Sequence, residues 1–340
     1  MRWIVTVVLF IAFACAAQAG ETGVPRFSAG VIRLTVADQT APIDTVVFYP
    51  TRDRETAWQA GPFLIEVTRN AAPIADRRFP VVLLSHGRRG GPLSHRELAT
   101  ALARAGFIVI LPTHVGDAYG SPPAPTQSRI LIDRPRQAEA SLNAVLADPR
   151  FPASVDENRI GMIGFSAGGY TALILAGAKP DFRAAVAYCS AHDDPGSCPR
   201  RVVQRGTTPV AESAAAITPE LAAWKPPFDR RVKALVLMDP LAVMFDASAL
   251  SAVRVPTLLY RPQNDAYLGG AANALAVAAG LQPRPQMEVV PGNHFVFIDP
   301  CPDSIAPDEP MVCQDAPGVD RAQIHRRIEH EVVSFLREHL

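Results

Sequence analysis

The sequence has no excess of either charge: 33 basic and 33 acidic residues give a formal net charge of +0, and no long run of one sign occurs. Nucleic acids and anionic membrane surfaces attract basic proteins, so this balance argues against either as the main partner. Beyond the N-terminal segment there is no apolar run of the roughly 20 residues that a membrane-spanning helix needs. We therefore expect no nucleic-acid partner and no transmembrane segment in the mature protein.

The N-terminal segment has the pattern of an export signal. Arg2 supplies a positive charge, residues 3–14 are almost all apolar, and Ala17-Gln18-Ala19 has the small-x-small pattern of a signal peptidase site. This pattern predicts a signal peptide over residues 1–19 and an exported mature protein, periplasmic or secreted. Lipoprotein anchoring at Cys15 is the minor alternative, because a bulky aromatic precedes this cysteine where smaller residues are usual.

Cysteine is scarce, and no CxxC pair or histidine at metal-ligand spacing accompanies it, which argues against a zinc site. Four cysteines remain after the signal peptide, and an even number in an exported protein is typical of two disulfides. Three pairings are possible. The local pairs Cys189–Cys198 and Cys301–Cys313, each enclosing proline-containing turns, are the ones we predict.

Strands alternate with helices over most of the chain. The predicted strands lie at 31–37, 43–49, 80–84, 107–111, 159–165, 232–238, 257–260 and 287–290. The predicted helices lie at 94–105, 133–146, 167–177 and 320–339. Such alternation indicates βαβ units, and therefore an α/β fold with a doubly wound, mostly parallel sheet in one domain over residues 20–340.

The segment 190–231 interrupts this alternation. It contains Pro, Gly and Ser, one short Ala-rich helix candidate and no clear strand. It follows the carboxyl end of a strand, where open α/β sheets bind their ligands. We interpret it as an insertion that forms a lid or a pocket wall.

The pentapeptide Gly164-Phe165-Ser166-Ala167-Gly168 matches G-x-S-x-G, the nucleophile elbow. The motif alone occurs often by chance, but here it follows a predicted strand and precedes a predicted helix. A helix that begins behind the serine directs its N-terminus at the site and favours developing negative charge. Ser166 is therefore the candidate nucleophile.

A serine nucleophile needs a base, and on this type of scaffold the acid and then the histidine follow the serine along the chain. His294 fits, because it lies in a loop after the strand that ends at Val290. The earlier histidines precede Ser166 or follow it too closely. His325, His330 and His339 lie on the terminal helix and are expected to face solvent.

Two aspartates are candidates for the acid that orients the histidine. Asp265 follows the strand 257–260 and is our first choice, whereas Asp239 ends the strand before it and is the alternative. The oxyanion hole needs two backbone N–H groups. Ala167 supplies one, and Arg88, in the loop after Ser85-His86-Gly87, is positioned to supply the other.

Three of these segments together resemble a known family. Ser85-His86-Gly87, the elbow 164–170 and Leu237-Met238-Asp239-Pro240 are similar to segments of bacterial dienelactone-hydrolase-like proteins, which are relatives of the plasma platelet-activating-factor acetylhydrolases. The resemblance runs from about Phe79 to the C-terminus, and it implies the α/β-hydrolase fold and ester hydrolysis. True dienelactone hydrolases use a cysteine nucleophile, so the serine here does not imply their named reaction.

The resemblance leaves the acid open. Asn264-Asp265 is similar to the acid loop of cutinase-like polyester hydrolases, whereas the acetylhydrolases place their acid at the position of Asp239.

These observations predict a secreted serine esterase that cleaves a small-molecule or lipid ester through an acyl-serine intermediate, without a metal or an organic cofactor. A phospholipid-type acetylhydrolase and a peptidase with the same triad are the alternatives. A non-catalytic binding protein usually lacks a triad member, and this chain has candidates for all of them. The sequence leaves the physiological substrate and the oligomeric state open.

Overall fold

The computed structural model describes residues 27–124, 126–198, 200–205, 208–213 and 217–340. The predicted signal peptide and Cys15 lie outside the described residues. Among the residues described, no helix combines the length and the apolar character needed to cross a bilayer.

Twelve strands and nine α-helices form from the described residues. The strands are β1 (Ser28–Val36), β2 (Ile43–Thr51), β3 (Thr56–Ala60), β4 (Phe63–Arg69), β5 (Phe79–Ser85), β6 (Ile108–Pro112), β7 (Val155–Phe165), β8 (Arg200–Arg205), β9 (Thr208–Ser213), β10 (Val232–Met238), β11 (Thr257–Pro262) and β12 (Gln286–Val290). The helices are α1 (Arg96–Arg104), α2 (Gln127–Leu146), α3 (Ala167–Leu175), α4 (Phe182–Ala191), α5 (Pro219–Ala223), α6 (Ala247–Leu250), α7 (Ala274–Gly280), α8 (Pro310–Cys313) and α9 (Arg321–His339).

Ten of these strands form one sheet in the order β12-β11-β10-β7-β5-β6-β2-β1-β4-β3. All pairs from β12 to β6 are parallel, whereas β2 pairs antiparallel with both β6 and β1. The predicted α/β fold with a doubly wound, mostly parallel sheet is therefore confirmed. The carboxyl ends of β5, β7, β10 and β11 come together at one edge, where such sheets bind ligands.

The central strands are buried on both faces, which explains their uninterrupted apolar sequence. Alternate residues of β5 enter opposite cores. Val81 and Leu83 pack in the core that α2 and α3 cover, and Val82 and Leu84 pack in the core that α1 and α9 cover. This double layer fixes the strand ends, and with them the loops that carry the candidate site.

Several elements differ from the sequence predictions, and helices α4 and α6 to α8 were not among the predicted ones. The insertion 190–231 was expected to contain no clear strand, but β8 and β9 pair antiparallel as a separate hairpin. Their short, polar sequences lack the regular alternation of apolar residues that predicts a strand. The hairpin of β3 and β4 was also missed. Its turn contains Gly61, which has a positive φ of 60°. Helix α2 begins six residues earlier than predicted and has Pro135 in its interior.

The cysteine pairs follow the local pattern that the sequence predicts. Cys189 is bonded to Cys198 and Cys301 to Cys313, with Cα–Cα distances of 5.3 Å and 5.6 Å. The first bridge joins the end of α4 to the insertion. Both pairs are consistent with an oxidising compartment.

Candidate active site

The candidate nucleophile lies on a strained turn between β7 and α3. Ser166 has φ 53° and ψ −116°, a conformation that costs a non-glycine residue free energy and that recurs at functional sites. The turn needs close backbone contact: a Cβ atom on Gly168 would overlap the carbonyl oxygen of Ser85. The small residues of the elbow are thus required by packing against the end of β5.

A buried chain of hydrogen bonds joins three of the predicted residues. His294 Nε2 lies 3.0 Å from Ser166 Oγ, and His294 Nδ1 lies 2.6 Å from Asp239 Oδ2. The exposed fractions of the three residues are 5%, 1% and 1%. With its Nδ1–H donating to Asp239, the imidazole has an Nε2 lone pair facing the serine hydroxyl, which is the tautomer that a general base needs.

Asp265, the first choice for the acid, is close to this chain but outside it. Its Oδ2 lies 3.7 Å from His294 Nδ1, which is beyond hydrogen-bond distance. Its Oδ1 accepts hydrogen bonds from the backbone N–H groups of Tyr267 and Leu268 at 2.7 and 3.0 Å. The geometry therefore favours the alternative, Asp239, as the partner of the imidazole, and it positions Asp265 as a second carboxylate beside it.

The two carboxylates titrate as a coupled pair around one imidazole. Burial raises the pKa of Asp239 to about 7, with Asp265 adding to the rise and His294 opposing it. Burial acts in the same direction on Asp265, but the proximity of His294 and Asp239 and the N–H of Leu268 hold its pKa at about 2. Burial disfavours the imidazolium of His294, yet the two aspartates together raise the pKa of this residue above its usual value. Negative charge is thus present where an imidazolium would form.

The two candidate oxyanion-hole residues lie on opposite sides of Ser166 along the chain. Ala167 is the first residue of α3, so its N–H is one of the helix-start donors without an intrahelical acceptor. The loop before Arg88 touches the nucleophile, since a Cβ atom on Gly87 would lie 3.4 Å from Ser166 Cβ and 2.8 Å from the Phe165 ring. Around it, the Arg89 N–H donates to Asp117 O and the Gly90 N–H donates to Gly87 O.

A buried guanidinium supports this loop from behind. Arg134, in α2, forms an ion pair with Asp117 at 2.5 Å and donates a hydrogen bond to the carbonyl of His86. His86 in turn donates from Nδ1 to Gly87 O at 2.7 Å and accepts the His114 N–H at Nε2. Sequence analysis did not find this network, because the hydrogen bonds that join its elements connect residues 17 to 48 positions apart.

The insertion contacts the loop that covers the candidate base. Tyr267 stacks on His294 with ring centroids 4.7 Å apart. Its carbonyl accepts the N–H of Gly196, which belongs to the loop closed by the Cys189–Cys198 bridge. In the same loop, Ser197 Oγ accepts a hydrogen bond from Asn273. One end of the predicted lid is thereby attached to the site.

The terminal helix contains one departure from prediction. His325 was expected to face solvent, which is wrong: it is 5% exposed, and its Nε2 lies 2.8 Å from the carbonyl oxygen of Val296. His330 is exposed as predicted. The signal was present in the sequence, because Arg321, Ile324, His325 and Ile328 follow the i, i+3, i+4, i+7 spacing of a buried helix face.

The sheet order and the strand–turn–helix around Ser166 are those of the α/β-hydrolase fold. Residues 67–217 match the family model described as "Dienelactone hydrolase family". The matched region contains Ser166 and the Arg88 loop but ends before Asp239, Asp265 and His294. The match implies hydrolase activity of the α/β-hydrolase type. No curated protein sequence gave a significant match.

Proposed function

We propose that this protein is an exported serine esterase that cleaves carboxylic esters through an acyl-Ser166 intermediate, with His294 as base and Asp239 as the acid of the triad. The observation that carries the proposal is the buried relay of Asp239, His294 and Ser166, with donor–acceptor distances of 2.6 and 3.0 Å. A serine hydroxyl becomes an effective nucleophile when an adjacent base accepts its proton.

In the acylation step, Ser166 Oγ bonds to the ester carbonyl carbon as its proton moves to His294 Nε2. The carbonyl oxygen takes up the electron pair, and the backbone N–H groups of Ala167 and Arg88 stabilise it. Asp239 stabilises the imidazolium that forms. The tetrahedral intermediate then expels the alkoxide, which leaves as an alcohol with the proton from His294.

In the deacylation step, His294 accepts a proton from water as the water oxygen bonds to the acyl carbon. The second tetrahedral intermediate expels Ser166 Oγ, which regains its proton from His294 Nε2. The products are one carboxylic acid and one alcohol per ester, and every catalytic group returns to its starting protonation state.

We assign Asp265 a positioning role beside the triad. It is fixed by two backbone N–H groups of its own loop, and its free oxygen faces the His294 ring at 3.7 Å. A second negative charge at that distance favours the imidazolium without a direct hydrogen bond. The residue also holds the turn that presents Tyr267 to the ring.

Export and a pocket-wall role for the insertion complete the proposal. Two disulfides agree with an oxidising compartment. The contact from the disulfide loop to Tyr267 favours an insertion that shapes access to Ser166.

The test combines active-site labelling with ester hydrolysis. A fluorophosphonate probe should label the wild-type protein once and should not label Ser166→Ala. p-Nitrophenyl esters of increasing acyl length should be hydrolysed by wild type and not by Ser166→Ala. Ser190→Ala is the matched control, since this serine is exposed on α4. A folded wild-type protein that neither reacts with the probe nor hydrolyses any ester of the series would contradict the proposal.

A further inference from the structure

A second buried group of polar side chains lies outside the triad, where α1, α9 and the segment after His294 meet. We call it the second histidine cluster and define it as His95, Glu97, Asp299 and His325. Carboxylate oxygens of Glu97 and Asp299 and a ring nitrogen of His325 all lie within 4.8 Å of one another. His95, Asp299 and His325 line one small cavity. None of these residues has a role in the proposed ester hydrolysis.

Two buried atoms in the cluster have no hydrogen-bond partner among the described residues. They are Nε2 of His95 and Oδ1 of Asp299, in residues that are 2% and 1% exposed. Unpaired buried acceptors of this kind cost free energy, so each calls for a physical cause. His95 also has a hydrogen bond with the backbone of Phe297, and the residue lines the cavity.

The orientation of His325 points to the same cause. Its Nε2 donates to the Val296 carbonyl at 2.8 Å, so the neutral ring has a lone pair on Nδ1. That nitrogen faces Asp299 Oδ1 at 3.3 Å. In this tautomer the Nδ1 lone pair and the carboxylate oxygen face each other, an arrangement that a shared cation would satisfy. Ligand bonds of about 2.0–2.1 Å in tetrahedral geometry separate neighbouring donor atoms by about 3.3–3.4 Å, and His325 Nδ1 and Asp299 Oδ1 have this separation.

The charges around the cavity also favour a cation. Asp299 and Glu329 line the cavity, and the Glu97 carboxylate lies beside Asp299 and His325. Arg96 is the neighbouring guanidinium, 3.7 Å from Asp299 Oδ2 and 3.6 Å from Glu97 Oε1. Asp299 Oδ2 is further committed to the Glu97 N–H at 2.7 Å, which orients Oδ1 toward the histidines.

We propose that the second histidine cluster is a structural binding site for a divalent transition metal ion, with Zn²⁺ the favoured occupant. Asp299 Oδ1, His325 Nδ1 and Glu97 supply the ligands, and His95, whose Nε2 is unpaired, lines the adjoining cavity. The hydrogen bond from His325 to Val296 fixes the ligating tautomer, as outer partners of metal-bound histidines commonly do. Glu97 is half-buried and provides the route of entry. The ion links α1, α9 and the segment that follows His294.

This proposal does not depend on ester hydrolysis, and its test does not use activity. The mature protein is stripped with a chelator, dialysed, and titrated with Zn²⁺ by calorimetry, with metal content measured after a second dialysis. We expect one Zn²⁺ per chain, a higher melting temperature with Zn²⁺, and the visible absorption of tetrahedral Co²⁺ when cobalt replaces zinc. Zinc content well below one equivalent after dialysis would overturn the proposal and leave an Asp299–His325 ion pair as the explanation.

Variants locate the ion. His325→Gln and the rim variant Glu97→Gln should each weaken Zn²⁺ affinity by about 10- to 100-fold or more. His330→Gln, on the exposed side of α9, is the matched control and should bind as wild type does. Asp265→Asn tests the second group of three neighbouring ligands among the described residues, Asp239, Asp265 and His294, and should also retain binding. Wild-type affinity in both His325→Gln and Glu97→Gln, or loss in Asp265→Asn, would refute the assignment.

Discussion

Asp265 directs an unpaired carboxylate oxygen at His294 Nδ1 from 3.7 Å, while that nitrogen is hydrogen-bonded to Asp239. The imidazole therefore has two carboxylates on one side and the serine hydroxyl on the other. Only Asp239 is within hydrogen-bond distance. Asp239 therefore orients the ring, whereas Asp265 stabilises its positive charge without a hydrogen bond. The first two predictions depend on that separation.

Replacing each aspartate should have very different effects on turnover. Asp239→Asn removes the acceptor that fixes the tautomer of His294, and we expect kcat/KM for a p-nitrophenyl ester to fall about 10³- to 10⁴-fold. Asp265→Asn leaves that hydrogen bond in place and should cost about tenfold or less. Steady-state kinetics on both variants, with circular dichroism to verify folding, makes the comparison. The opposite ranking would return Asp265 to the position of triad acid.

The pH profile of kcat/KM should reveal the second carboxylate. His294 acts as base in its neutral form, and its pKa is raised by both aspartates, so activity should increase with pH through a midpoint above 6.5. Removing the charge of Asp265 destabilises the imidazolium and should shift this midpoint to lower pH. The exposed Asp308→Asn is the control and should leave it in place. An unshifted or higher midpoint in Asp265→Asn would argue against the positioning role.

The Arg134–Asp117 pair should be a sensitive point for stability. Asp117→Asn leaves the buried guanidinium without its counter-charge, and breaking such a pair typically costs about 3–5 kcal/mol. The exposed pair of Arg33 and Asp44, with side chains 51% and 44% exposed, gives the comparison. Asp44→Asn should cost about 1 kcal/mol or less. Urea unfolding monitored by fluorescence measures both, and equal losses would contradict the structural role of the buried pair.

The two disulfides should differ in their effect on activity. Each closes a short loop, so removing either should cost about 2–3 kcal/mol of stability. Only the loop of Cys189–Cys198 contacts Tyr267 and hence the ring of His294. The double alanine variant at 189 and 198 should lower kcat/KM several-fold, while the variant at 301 and 313 should not. Equal kinetics in the two variants below their melting temperatures would show that the insertion loop does not position the site.

The elbow should not accept a side chain at Gly168. A methyl group there would overlap the carbonyl oxygen of Ser85, which is backbone and has no room to move. We expect Gly168→Ala to lose about 3 kcal/mol or to be recovered only as unfolded protein. Gly91→Ala is the control, since nothing lies within 4 Å of its added methyl group. A stable, active Gly168→Ala enzyme would show that the turn between β7 and α3 is looser than described.

The sequence predicted the parts of this protein that depend on short-range pattern. The buried strands 80–84 and 159–165 and the elbow at Ser166 are local signals, and the structure has them where expected. The choice between Asp239 and Asp265 was not local, because both residues end neighbouring parallel strands and differ by about 1 Å in their approach to His294. Such a difference depends on how the strand ends twist, which no single segment encodes.

Buried polar networks were the other limit. In the sequence, Arg134 is indistinguishable from an exposed helix residue. Its hydrogen bond to the His86 carbonyl forms only because α2 packs beneath that loop. The burial of His325 was missed for a different reason. Its neighbours Ile324 and Ile328 indicate a buried helix face, and the spacing puts His325 on that same face, but a histidine was assumed to be exposed. The burial and the partners of polar residues on a buried helix face are therefore the features that sequence alone predicts least well in this protein.

Phe165, the residue before the nucleophile, has its ring centroid 4.9 Å from that of His294 and 5.5 Å from that of His95. The Phe165 ring thus lies next to both the candidate base and the second histidine cluster. Its proton resonances should respond both to protonation of His294 and to an ion bound near His95. A single isotopic label at Phe165 would allow the two events to be followed in one NMR spectrum, and would show whether they influence each other.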